Sequence, residues 1–357
     1  MSGHAVDSLF RRLVEIGGSD LHLAAGKPPR IRVDGVLEAV EGWQEPLDDS
    51  QLQRLLEPLC AHEQWRSFTD SGDLDFAYAL PGEARFRANF LRQLGGTAAV
   101  FRLIPERVLS AEDLGLPAAV ASLAHLPRGL VLITGPTGSG KSTSLAAIID
   151  TINRRYPKHV VTIEDPVEFV HQNRMAVISQ RQVGVDAISF AAALRAAVRQ
   201  DADVILVGEM RDHETIALAI TAAEMGSLVF GTLHTNSAAK TIDRLIDVFP
   251  AEEQAQVRTT LADSLAAVVA QQLLPAALGK GRKAAFEVLL RTSGLPNVIR
   301  EGNTPMLRSI IQAGKSVGMC AMDESLKKLV DQGAVSAEDA LHRAAGPRRF
   351  KNQLAAG

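Results

Sequence analysis

The rhythm of apolar and polar positions changes part-way along the chain. Early on, Val6, Leu9, Phe10 and Leu13 share one helical face, and Gly17-Gly18 ends that helix. Ser19 to Leu23 and Arg30 to Val33 alternate as strands do, with turn chemistry at Val33-Asp-Gly35 before Val36-Leu37. Leu52, Leu55, Leu56 and Leu59 return to helical spacing, which Pro58 should break. Three more strands are predicted over 74–80, 84–91 and 97–103, separated by Pro81-Gly82 and Gly95-Gly96. Residues 1–104 therefore read as a small α+β domain. Residues 105–129, rich in Pro, Ala and Leu, read as a linker with a hinge and a short helix.

From Leu130 the pattern becomes strands alternating with helices, as in a parallel sheet covered on both faces. Leu130 to Thr134, Val160 to Glu164, Val204 to Val207 and Leu228 to Leu233 are the buried strands. Leu145, Ile148, Ile149 and Ile152 mark the helix after the first of them. Phe190, Ala193, Leu194 and Ala197 mark a second helix, and Ile216, Ile220 and Ala223 a third. After Pro250 the chain reads mostly as helix, with one hairpin pairing Leu273-Leu274 with Ala285 to Leu290. Residues 130–357 form the second predicted domain, with a helical C-terminal part.

The first buried strand runs into Gly135-Pro-Thr-Gly-Ser-Gly-Lys-Ser142, which fits the phosphate-binding pattern G-x-x-x-x-G-K-[ST]. Gly135, Gly138 and Gly140 let the loop turn its N–H groups toward phosphate oxygens at a helix N-terminus. Pro136, Thr137, Ser139 and Thr143 complete the nucleotide-binding stretch, Lys141 supplies a charge to the β/γ-phosphates, and Ser142 offers a hydroxyl to Mg²⁺. ATP and Mg²⁺ are the cofactors this predicts.

Ligands of open α/β sheets bind at the carboxyl ends of strands, and three other ends carry polar groups. Glu164-Asp165-Pro166-Val167-Glu168 is a carboxylate cluster in which Glu164 suits polarisation of an attacking water, while Asp165 and Glu168 suit capping or a solvated loop. Val204 to Val207 ends in Gly208-Glu209-Met-Arg-Asp212. Gly208 takes the customary aspartate position, so Glu209 is left as the carboxylate on the Mg²⁺ side. Leu233-His234-Thr235-Asn236 suits a γ-phosphate sensor at His234. Arg195 and Arg199 stand at i, i+4 on the preceding helix, a like-charge pair that an anion or carboxylate would relieve. Arg85, Arg87 and Arg102 lie in strands of the first domain and reach a nucleotide only if that domain folds over an active site; in trans they would act as arginine fingers.

Composition narrows the class further. The 357 residues favour two domains, and 46% apolar with 22% charged residues is ordinary for a globular chain. A net charge of −3 gives no overall attraction to nucleic acid, and no nucleic-acid partner is expected. The sequence has no apolar run of membrane-span length and no signal-peptide character at Met1 to Ala5, which places the chain in the cytoplasm as an expectation. Cys60 and Cys320 have neither disulfide nor zinc spacing.

These motifs resemble the secretion and pilus ATPases, and within them the type IV pilus retraction ATPases. The resemblance runs through Gly18-Ser-Asp-Leu-His-Leu23, Ile31 to Gly35, Arg85-Phe-Arg87, Phe101 to Pro105, the phosphate loop, Thr162 to Glu168, Ile205 to Asp212 and Gly231 to Asn236. It implies a PAS-like N-terminal domain, a RecA-like core, ATP between the two domains and a homo-hexameric ring. It also implies an inner-membrane pilus platform partner, with peripheral association at the cytoplasmic face of the inner membrane through such partners. By the same resemblance Glu164 is the catalytic glutamate, Glu209 the metal-side carboxylate, His234 the sensor, and Arg87 and Arg102 the arginines reaching the nucleotide.

Two stretches depart from the family. Gly226-Ser227 stands where the histidine box begins Gly-His, and Val298 to Gly314 follows the retraction-specific segment only loosely, although Met322-Asp-Glu-Ser-Leu326 follows it better. The absence of a four-cysteine insert and of a long extra N-terminal domain points away from the assembly and type II secretion branches. The competing expectations are an accessory ATP-binding subunit of a pilus motor, and a pilus-assembly/type II secretion or DNA-translocating ATPase of the same superfamily.

Overall fold

The computed structural model describes residues 6–33, 35–104, 108–277 and 281–355, in two compact units. Asp34 of the first predicted turn, Pro105 and the start of the linker lie outside the described residues. One unit comprises Met1–Arg107 with Pro166–Val170, and the other Val108–Asp165 with His171–Gly357.

In the first unit, α1 (Asp7–Glu15) buries Leu9, Phe10 and Leu13, and Gly17 at φ +67° ends it. The strands β1 (Asp20–Ala24), β2 (Arg30–Val33) and β3 (Val36–Ala39) follow. A capping box opens α2 (Asp49–Leu56): the Asp48 carboxylate accepts from Gln51 N–H at 2.7 Å, and the Gln51 side chain accepts from Asp48 N–H at 2.9 Å. After it come α3 (His62–Ser71), β4 (Asp73–Leu80), β5 (Ala84–Gln93) and β6 (Gly96–Ile104). The six strands form one antiparallel sheet in the order β3-β2-β1-β6-β5-β4. Alternation along β5 sends Phe86 and Phe90 to one face, where they join Phe10 of α1, Leu52 and Leu56 of α2 and Phe68 of α3. The Phe10 and Phe86 rings stack at 4.5 Å. Helix α3 was not anticipated, because Phe68 is its one buried residue and no apolar stripe marks it.

In the second unit, α4 (Ala118–Ala121) precedes β7 (Gly129–Thr134), α5 (Lys141–Arg155), β8 (His159–Glu164), β9 (Val177–Gln182) and α6 (Phe190–Ala197). Next come β10 (Val204–Val207), α7 (His213–Glu224), β11 (Leu228–Leu233), α8 (Ala238–Asp247), α9 (Gln254–Ser264), β12 (Leu265–Pro275) and β13 (Arg282–Leu290). The chain closes with α10 (Leu295–Arg300), α11 (Leu307–Ala313), α12 (Met322–Asp331), α13 (Ala337–Arg343) and α14 (Pro347–Ala355). The sheet order is β13-β12-β7-β11-β10-β8-β9, parallel throughout except for the β12-β13 hairpin.

Every residue of β7, β10 and β11 is buried, because helices cover both faces. Leu130 and Leu132 pack with Ile216 and Ile220 of α7, while Val131 and Ile133 pack with Leu145 and Ile148 of α5. The architecture is the expected α/β one, an α+β unit followed by a P-loop core of RecA type with a helical end.

Two expectations need correction. The hairpin strand begins at Leu265, far earlier than Leu273, since its Ala-rich start has helical propensity but sits in the middle of the sheet, buried on both sides. The edge strand β9 went unread because Val177-Ile-Ser-Gln-Arg-Gln182 is mostly polar and half-exposed.

Gly18 is pinned between α1 and β2. A Cβ there would stand 2.6 Å from both Ile31 Cγ2 and Leu13 Cδ1. Gly18→Ala should therefore lower the stability of the first unit by about 1–3 kcal/mol through overpacking. Denaturant unfolding followed by the fluorescence of Trp43 and Trp65 would measure it, and an unchanged midpoint would refute the tight contact.

Candidate nucleotide-binding and hydrolysis site

Four adjacent parallel strands bring the predicted groups to one edge of the sheet. Thr134 at the end of β7 pairs with Leu233 of β11, Gly231 of β11 with Val207 of β10, and Val207 with Ile163 of β8. The phosphate loop, His234, Glu209 and Glu164 thus leave the carboxyl ends of neighbouring strands in that order, where open α/β sheets hold ligands.

The loop needs its glycines. Gly135, Gly138 and Gly140 have φ of 148°, 76° and 86°. A Cβ on Gly135 would fall 2.2 Å from the Gln271 carbonyl and 2.6 Å from Ser139 Oγ, and one on Gly140 would fall 2.9 Å from Gln271 Nε2. The Lys141 ammonium donates to the carbonyls of Gly135 at 2.8 Å and Pro136 at 3.1 Å, so it lies across the mouth of the loop. The buried Ser139 hydroxyl has no hydrogen-bond partner among the described residues. A loop of glycines with positive φ, a lysine and an orphaned hydroxyl at the start of a 15-residue helix fits a chain of phosphates.

Glu164 is half-buried and oriented by two donors. Thr162 Oγ1 donates to its Oε1 at 2.7 Å and Gln180 Nε2 at 3.2 Å, while Gln180 in turn accepts from His171 N–H at 2.8 Å. Gln180 sits on β9 and was missed for the same reason as that strand. Glu209 Oε1 accepts from Arg211 Nε at 2.6 Å and His234 Nε2 at 2.8 Å. Burial alone would raise the Glu209 pKa, but the hydrogen bonds and charges of Arg211 and His234 prevail and hold it below the usual value. The intended sensor and the intended metal-side carboxylate are thus hydrogen-bonded to one another.

The backbone fixes these positions. Met210 N–H donates to Thr232 O at 3.0 Å, and the Thr232 hydroxyl donates to Gly208 O. Asp212 caps α7 through Thr215 N–H at 2.8 Å and has a structural role. Thr235 Oγ1 lies 2.6 Å from Thr241 Oγ1, which ties the His234 segment to α8.

Ser227, at the position of the missing family histidine, precedes the amino end of β11 and donates to Ala202 O at 3.1 Å. A six-residue strand, about 20 Å long, separates it from the phosphate-loop edge.

The arginines divide. Arg195 pairs with Glu214, the carboxylate its charge called for, but α6 ends at Ala197, so Arg199 lies beyond the helix and the expected i, i+4 pair does not form. In the first unit Arg87 and Arg102 face each other across β5 and β6. Arg87 pairs with Asp75 at 2.6 Å and Arg102 with Asp20 at 2.9 Å. Burial favours neutral Asp20, yet the bonds from Ser19 and Arg102 keep its pKa below the usual value. Neither cysteine is activated: burial pushes the Cys60 thiol up to about 11 and raises Cys320 as well.

Beside the loop opens a cleft of about 680 Å³. Pro136, His234, Asn236 and Lys240 line one side, and His342 and Arg343 another. Sequence reasoning missed the last three, which lie outside any strand end or motif. No helix among the described residues is long and apolar enough to cross a membrane.

Comparison with known proteins identifies the family. The family model described as type II/IV secretion system protein matches residues 6–336. The chain is 50% identical over 334 residues to the type IV pilus retraction ATPase PilT of Pseudomonas aeruginosa, covering 94% of this chain and 96% of that one. It is 48% identical over 316 residues to a twitching motility protein of Neisseria gonorrhoeae, covering 88% and 84%. Among solved structures, the pilus retraction motor PilT with bound ADP superposes with a TM-score of 0.90 at 40% identity, covering 98% of this chain and all of that one.

The place of Gly208 has a steric reason. Its N–H bonds Ile163 O at 2.8 Å, and a Cβ would lie 3.1 Å from that oxygen and 3.3 Å from Glu164 Cα. Gly208→Asp, which restores the customary acid, should therefore displace Glu164 and reduce ATP turnover while lowering stability by about 1–3 kcal/mol. Steady-state turnover and a thermal melt check this; a variant as active and as stable as the parent would refute the crowding.

Proposed function

Because this chain belongs to the type II/IV secretion system protein family, we propose that it is a hexameric ATP-hydrolysing motor that powers type IV pilus retraction. What carries the reading is the convergence of the phosphate loop, Glu164, Glu209 and His234 on one sheet edge. The extended likeness to a retraction ATPase supports the direction of work.

In this mechanism the loop glycines and Lys141 bind the ATP phosphates, and Glu164, held by Thr162 and Gln180, orients and polarises the attacking water. Ser142 and Glu209 would hold Mg²⁺, which when bound neutralises charge on the β/γ-phosphates. The γ-phosphate offers His234 an acceptor in exchange for Glu209, so the hydrogen bond between the two side chains breaks when ATP binds and re-forms after hydrolysis. ATP binding closes a subunit and hydrolysis reopens it, moving a pilus platform protein at the cytoplasmic face of the inner membrane.

Two measurements test this. Glu164→Gln should retain ATP binding and lose at least about 100-fold in turnover, the scale of a general base. The parent's specific activity should rise with protein concentration as rings assemble. Binding without turnover at any concentration would instead identify an accessory subunit.

The arginines are assigned to a neighbour's nucleotide. Subunits carrying both Arg87→Ala and Arg102→Ala, mixed with Lys141→Ala subunits, should recover turnover that neither has alone. No recovery in rings shown to be mixed would remove the action in trans.

A further inference from the structure

Glu287, on β13, belongs to neither the phosphate loop nor the cleft lining, yet its carboxylate joins the two walls of that cleft. Its Oε1 accepts from Ala238 N–H at 2.8 Å and its Oε2 from Met322 N–H at 3.4 Å. These N–H groups open α8 and α12, where a helix has no internal acceptor for them. Helix α8 follows directly on His234 to Ser237, and α12 begins the C-terminal helices.

The α12 end of this junction is fastened twice more. Ser325 Oγ accepts from Phe286 N–H at 3.0 Å, and Asp323 Oδ1 accepts from Ala345 N–H at 2.7 Å, next to His342 and Arg343. Met322, Ala344 and Ala345 line the cleft opposite His234, Thr235 and Ser237.

Packing alone does not call for an acid here. Burial raises the Glu287 pKa, the two N–H bonds lower it, and the nearby Asp323 charge raises it further. A buried carboxylate is costly, and an apolar or amide side chain in such a place is often equally stable. What the acid does that an apolar side chain cannot is accept from two helix starts at once, closely from Ala238 N–H and at longer range from Met322 N–H.

We propose that Glu287 is a positioning residue that makes the His234 segment and the C-terminal helices α12 to α14 respond to the nucleotide as one body. The proposal rests on the reading that ATP binds at the phosphate loop. A change at His234 would then move the wall that carries His342 and Arg343.

Hydrogen exchange on the full-length protein, with and without Mg²⁺ and the slowly hydrolysed analogue ATPγS, tests both. In the parent, nucleotide should slow exchange at 135–143, at 234–241 and at 322–345. Glu287→Gln should keep the first two responses and lose the third, with an unchanged melting temperature. Ser325→Ala, which leaves Glu287 in place, should weaken the third response and serves if Glu287→Gln does not fold.

Several results would overturn the coupling: a full response at 322–345 in either variant, parent protection that stops at 241, or faster exchange at 322–345 in nucleotide-free Glu287→Gln, which would make Glu287 a fastening of the fold only. Absence of any response at 135–143 in the parent would remove the nucleotide reading itself, and the proposal with it.

Discussion

The site depends on the close approach of the phosphate loop to β12. Gln271, buried in the middle of that strand, meets the loop at both ends: its carbonyl bars any side chain at Gly135, and its amide nitrogen crowds Gly140. Its side-chain oxygen accepts from Ser144 Oγ at 2.9 Å, one turn into α5. One residue therefore sets where the loop leaves β7, where it re-enters a helix and how that helix is anchored. The hairpin that supplies Gln271 also supplies Glu287, so the same two strands support the loop and the C-terminal helices.

Beyond the loop, the chemistry follows from sheet order. Parallel pairing of β7, β11, β10 and β8 lines up four strand ends without any long-range motif, and side-chain bonds then set the details. The Glu209–His234 pair satisfies two polar groups that would otherwise compete for water, and the Thr162–Glu164–Gln180 chain restricts the Glu164 carboxylate before any substrate arrives. Restraint of this kind reduces the reorganisation a catalytic group undergoes during reaction.

Much of this was legible in the chain. Strands buried on both faces are continuous apolar runs, and the polar residues that interrupt them mark the carboxyl edge, so Glu164, Glu209 and His234 could be placed from pattern alone. Other parts were silent for definite reasons. The edge strand β9 is half-exposed and polar from Ser179 onward, which hides both it and Gln180. The start of β12 is rich in alanine, whose helical preference is overridden by burial in the sheet. Gln271 and Glu287 are polar positions inside those misread or half-read strands; one binds the Ser144 hydroxyl and the other two backbone N–H groups, partners that leave no trace in sequence spacing. Ser227 looked like a loss at the site because its neighbours in sequence are the histidine box, but a strand's length carries it to the opposite edge.

The arginines of the first unit show how a resting arrangement can keep a reactive group available. Arg102 is 68% exposed while its partner Asp20 is only 7% exposed, so removing the guanidinium would ordinarily strand a buried charge. Asp20 has other support: the Ser19 hydroxyl donates to Oδ2 at 2.7 Å, and Arg32 Nε stands 3.9 Å from the same oxygen. With those two in place, the proposed exchange of the Asp20 carboxylate for a phosphate would carry a smaller desolvation cost than the burial of Asp20 alone implies. Arg87 pairs with Asp75, which is itself 39% exposed, and an exposed pair of this kind contributes about 1 kcal/mol or less. Arg102 is therefore oriented by its own sheet through a carboxylate that has other support, the condition its proposed recruitment by a more highly charged anion requires.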